Sequence, residues 1–150
     1  MQPTTHLLIS ALCATALSSA LFANTHLTEI RTHAGKVKQG SEQMSRLLSV
    51  KQPDAQGIRD SLKAMGEDIE NLHKLVVKLT EENPQFVERG DHDWDRLKTQ
   101  VQLLGIFHNT KDELMKADDM KKNRSVLRAH AKGLAMRSAT LQETATRLQR

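Results

Sequence analysis

The chain has 150 residues, is only 3% aromatic with no tyrosine, and carries 22 Lys or Arg against 18 Asp or Glu, for a formal net charge of +4. That length suits one domain with a single core, and a composition rich in helix formers and poor in strand formers predicts an all-α fold. So few aromatic residues argue against a stacking surface for nucleic acid, and a lone cysteine, Cys13, excludes a disulfide framework.

Residues 7–23, LLISALCATALSSALFA, are apolar or small and uncharged. Such a run suits the core of a signal peptide better than a membrane span of roughly 20 strongly apolar residues. Ser18, Ala20 and Ala23 offer small residues for cleavage, whereas Leu12 before Cys13 does not fit a lipoprotein signal. No Lys or Arg precedes the run, so an uncleaved membrane anchor is the alternative. The expectation is therefore a signal peptide over 1–23 and a periplasmic or secreted domain over 24–150. That mature chain has no cysteine and no C-x-x-C-H site for covalent haem.

The first stripe, Leu27, Ile30, Ala34, Val37, Ser41, Met44 and Leu48, alternates steps of three and four and predicts helix one over about 25–50. Pro53 and Asp54 suit the start of a second helix. Its stripe is Ala55, Ile58, Leu62, Met65, Ile69, Leu72, Val76 and Leu79, closed by Asn83 and Pro84. After the loop NPQFVERGDH, residues 83–92, the carboxylates Asp91, Asp93 and Asp95 crowd the start of helix three, where exposed N–H groups favour them. The third stripe holds Trp94, Leu97, Val101, Leu104, His108 and Met115, flanked by Leu103, Phe107 and Leu114. Asp118 and Asp119 mark a break before the last helix. There Met120, Leu127, Leu134, Leu141 and Leu148 recur every seven residues, with Ala131, Ser138 and Ala145 interleaved. Four amphipathic helices with mostly short connections predict an antiparallel up-down-up-down four-helix bundle. A coiled-coil hairpin that dimerises is the alternative, so the expected state is a monomer or a homodimer.

No phosphate-binding loop, zinc-protease or nucleophile-elbow motif occurs, which disfavours an enzyme. Glu70 and His73 form a single Glu-x-x-His pair, whereas di-metal bundles need two, so no metal site is expected. A different constellation emerges when the helices are folded back on one another. Met44, Met65, His108 and His130 fall within about two helical turns of one level, and Gly40, Gly66, Gly105 and Gly133 put one glycine per helix near the same height. Each mid-helix glycine costs roughly 1 kcal/mol relative to alanine. A flat apolar cofactor such as haem, with Met or His as axial ligand, would use both the space and the ligands. Core filling by methionine and a hydrogen-bonded seam histidine is the alternative.

Charge marks a second feature. Lys121–Arg150 holds eight Lys or Arg and a single acid, Glu143, whereas Asp54–Glu82 holds seven acids and four bases. The last helix is thus expected to be a basic ridge that attracts an acidic protein partner, anionic lipid headgroups or haem propionates.

DAQGIRDSLKAMGEDIENL, residues 54–72, resembles the corresponding stretch of the soluble periplasmic cytochrome b family of the five-six-two type, and LLGIFHNTKDEL, residues 103–114, is similar to that family's third helix. The resemblance implies an exported four-helix bundle that holds haem non-covalently and shuttles electrons. It also implies a methionine ligand near Val37 or Lys38 and a histidine ligand near Ala145 or Thr146, and neither position carries one. Met44 and His130 are the nearest residues of those types. The sequence thus points to a non-catalytic exported interaction module, with a haem-binding electron carrier built on Met44, Met65, His108 and His130 as the alternative.

Overall fold

The computed structural model describes residues 5–84, 91–109 and 123–150, with side chains from residue 21 onward in those stretches. Among the described residues there are four helices and no strand: α1 Thr5–Leu47, α2 Ala55–Glu82, α3 His92–Asn109 and α4 Arg124–Leu148. Helix α1 is longer than the expected helix one, because its 43 residues run unbroken through the apolar segment. Leu and Ala are strong helix formers, and neither proline nor glycine interrupts the chain between Thr5 and Ala34. Among the residues with described side chains, no helix is long and apolar enough to cross a membrane.

Helix starts follow the local chemistry. The Asp54 carboxylate accepts the Gln56 and Gly57 N–H groups, each at 3.1 Å, and so caps α2. The Asp91 carboxylate does the same for α3, accepting from Asp93 N–H at 2.8 Å and Trp94 N–H at 3.4 Å. Such caps satisfy donors that have no partner within the helix, each contributing about 1 kcal/mol. Leu114, Met115, the Asp118–Asp119 break and Met120 lie outside the described residues.

The stripes meet in one core. Leu27, Ile30, Ala34, Val37, Met44 and Leu48 of the first segment are at most 1% exposed, and Ser41 joins them with its hydroxyl donating to Val37 O at 2.7 Å. From α2 come Ile58, Leu62, Met65, Ile69, Leu72, Leu75 and Leu79. Here Leu75 replaces Val76, which is half-buried. Steps of three and then four from Leu72 keep the buried line on a 3.6-residue repeat. Trp94, Leu97, Val101, Leu104 and His108 contribute from α3; Leu127, His130, Ala131, Leu134, Ser138, Leu141, Thr144 and Ala145 contribute from α4. Each fully buried Leu, Ile or Met stabilises the fold by roughly 1.5–3 kcal/mol relative to exposure, so this core outweighs the polar contacts around it.

Each helix packs against two others, α1 and α3 both lying between α2 and α4. Polar contacts join their ends. His26 near the start of the packed part of α1 meets Glu82 at the end of α2, Nε2 to Oε2, at 2.8 Å. At the last residues of the chain, Gln149 donates to Thr28 Oγ1 at 2.8 Å and Asn24 O at 3.2 Å. Arg147 forms a two-pronged pair with Asp93 at the start of α3, with a closest approach of 2.9 Å. Arg124 at the start of α4 donates to the Leu48 and Val50 carbonyls just beyond α1. These carbonyls have no acceptor role inside the helix, and a guanidinium there also complements the negative end of the helix dipole.

Candidate functional site

Met44, Met65, His108 and His130, one from each helix, are all buried, between 0% and 6% exposed. The contacts place them near one height. Met65 Sδ lies 3.2 Å from Ser41 Oγ on α1, one turn from Met44. His108 lies against Gly66, the neighbour of Met65, and the His130 ring stacks on Phe107, the neighbour of His108, with centroids 5.8 Å apart.

The glycines at this height are filled rather than open. A Cβ at Gly40 would stand 2.8 Å from Met65 Cγ, and one at Gly66 would stand 2.6 Å from His108 Nε2. At Gly105 the obstacle is His73 Nε2 at 2.7 Å, and at Gly133 it is Phe107 Cε1 at 2.9 Å. Real Cβ atoms essentially never come so close to other heavy atoms, so each glycine is a recess taken by the side chain of an adjoining helix. A fifth recess that the periodicity did not single out, Gly35, receives Gln142, with Nε2 3.0 Å from the Cβ position. Glycine beside an apolar stripe signals such a recess; which side chain enters it depends on the height of the neighbouring helix.

Phe107 is the most elaborately held of these entrants. It rests on Gly133, stacks at 22° to His130, and carries the Arg137 guanidinium 4.5 Å from its ring centroid. His130, Gly133 and Arg137 are spaced by three and four, so one face of α4 surrounds a single ring from α3.

The Glu-x-x-His pair does not converge. Glu70 pairs with Lys74 at 2.7 Å, and that hydrogen bond, reinforced by the ammonium charge, holds the Glu70 carboxyl below its ordinary value. His73 enters the Gly105 recess instead. Among the described residues, no group of three or more His, Cys, Asp or Glu side chains is placed to hold a metal ion.

The basic ridge is divided. Lys121 and Lys122 lie outside the described residues. Arg124 is engaged with the carbonyls beyond α1, Arg137 with Phe107, and Arg147 with Asp93. Arg147 donates to Asp93 and holds that carboxyl below its ordinary value, while its own guanidinium is pushed higher by the same bond. Arg128 and Lys132, one turn apart and exposed, make no ion pair with the described residues. Both line a groove between α1 and α4, together with Ser41, Glu42, Ser45, Ala129, Ala131 and Ala135. A second groove on the same seam is lined by Thr28, Arg31, Thr32, Gly35, Lys36, Gln39 and Gln142.

No protein-family model, curated protein or solved structure matches the chain.

Proposed function

We propose that the protein is a non-catalytic interaction module, an antiparallel four-helix bundle that receives an acidic partner at the α1/α4 groove. The observation that carries this reading is the pair Arg128 and Lys132. They stand exposed at a groove otherwise lined by Ser41, Ser45, three alanines and a single acid, Glu42, while Arg124, Arg137 and Arg147 have partners within the chain. Small residues let a partner's side chains approach closely, and two cations a turn apart match carboxylates spaced along an acidic segment. A groove favours a protruding protein segment over a flat lipid surface.

The antiparallel order rests on the contacts between helix ends, His26 with Glu82, Asp93 with Arg147, and Gln149 with Asn24 and Thr28. Export to the periplasm or outside rests on the uncharged run over 7–23, with cleavage near Ala23. The resemblance to soluble cytochrome b agrees with both. The second reading, a haem-binding electron carrier, is favoured by the shared height of Met44, Met65, His108 and His130, and disfavoured by the filled glycine recesses.

Binding of polyglutamate and of phosphatidylserine vesicles, measured at increasing salt, tests the proposal. The expected result is salt-sensitive binding of polyglutamate that Arg128→Glu with Lys132→Glu abolishes while the fold persists. Binding that survives this charge reversal, or that occurs with vesicles alone, overturns the assignment.

A further inference from the structure

We infer that the Met44, Met65, His108 and His130 layer is closed by the chain's own side chains and takes no flat cofactor, and that its glycines are sockets fixing how the helices meet. Glycine is the poorest helix former after proline, so its presence on all four helices at one height calls for a compensating contact. Each has one. Around the molecule, every seam between adjoining helices holds at least one socket: Met65 in Gly40 between α1 and α2, and Phe107 in Gly133 between α3 and α4. Gln142 enters Gly35 between α4 and α1, and between α2 and α3 the exchange is reciprocal, His108 entering Gly66 and His73 entering Gly105.

Axial ligands of a haem must aim at one point from opposite sides. Met65 instead lies toward α1, its Sδ 3.2 Å from Ser41 Oγ and 3.3 Å from the Cβ position of Gly40. His108 directs Nε2 toward the backbone of α2 at Gly66, and His130 lays its ring face against Phe107 of α3. Three of the four candidate ligands, Met65, His108 and His130, therefore engage three different seams. A haem would have to expel ring and thioether groups from their recesses and reopen close-packed seams before it met a ligand. The same packing explains why this layer combines glycine with bulky neighbours: a backbone without Cβ and a large side chain from across the seam fill one volume, and a shift of either helix along its axis would part them.

The test combines haemin titration of the full chain with thermal unfolding of glycine variants. The expected result is no saturable change in the Soret region that depends on the layer, together with lower unfolding midpoints for Gly66→Ala and Gly133→Ala despite alanine's better helix propensity. If Gly66→Ala fails to fold, the pair Gly66→Ala with His108→Ala is expected to restore folding by emptying the socket. Saturable haem uptake that is lost in Met44→Ala, Met65→Ala, His108→Ala or His130→Ala overturns the inference. So does a higher midpoint for Gly66→Ala and Gly133→Ala, which would show open space at those positions. Haem uptake unchanged by all four ligand substitutions places haem elsewhere and upholds the closed layer.

Discussion

Between α2 and α3, imidazole rings from each helix press on glycines of the other, whereas between α1 and α4 the same close approach is met by one flexible amide, Gln142, at the solvent edge. His108 is 4% exposed and cannot retreat from Gly66 without displacing core neighbours. Gln142 is half-exposed, donates to Arg31 O at 3.2 Å, and can swing outward from Gly35. The grooves described above also run along the α1/α4 seam. The lesson is that glycine has no fixed meaning in a helix: against a buried ring it locks a seam, and against a mobile amide it only tolerates one.

The largest effect should fall on the locked seam. Gly66→Ala is expected to destabilise the protein by about 1–3 kcal/mol, the usual range for overpacking a close-packed core, as read by denaturant unfolding. A gain would erase the distinction between the seams. Next comes Arg124→Ala, which removes the donor from the Leu48 and Val50 carbonyls at one end of the α1/α4 seam. Because this arginine is half-exposed and water can replace it, a loss of about 1 kcal/mol is expected, again by denaturant unfolding.

A pH effect separates the α3/α4 end from both seams. The Asp93 carboxyl is lowered in the folded protein by the Arg147 hydrogen bond. Its contribution is therefore complete above the ordinary carboxylate range and is lost as pH falls through the lowered value. Thermal midpoints of Asp93→Asn should lie closer to those of the parent protein in acid than at neutral pH; an equal gap at both would remove the Arg147 pair as its cause. The smallest effect belongs to Gly35→Ala. Once Gln142 moves aside, alanine's helix propensity leaves a change between zero and a gain of about 1 kcal/mol. A calorimetric midpoint well below that of the parent would make the α1/α4 seam as rigid as its counterpart.

The first stripe was readable because 3.6-residue spacing reports burial directly: every residue named from Leu27 to Leu48 is in the core, whereas Ala55, Val76 and Leu148 of the later stripes are half-buried. The Asp54 and Asp91 caps were readable because a carboxylate before a helix has a specific local partner. Helix α1 proved longer than expected because periodicity marks where a helix is packed, not where its backbone ends. The height of Met44, Met65, His108 and His130 followed from counting rise per residue. Their orientation did not, since whether His108 faces the centre or Gly66 depends on the rotation of two helices about their axes. The basic ridge misled for a similar reason. Counting charges from Lys121 to Arg150 treats them as one surface, but Arg137 and Arg147 lie on the flank facing α3 while Arg128 and Lys132 border α1.

The socket account is tested most directly by a double-mutant cycle of Gly66→Ala and His108→Ala followed by denaturant unfolding. It predicts strong coupling: with the ring gone, the added methyl group should cost nothing or stabilise, so that the double variant is more stable than the sum of the single losses allows. Simple additivity, with the methyl group equally harmful in both backgrounds, would contradict it.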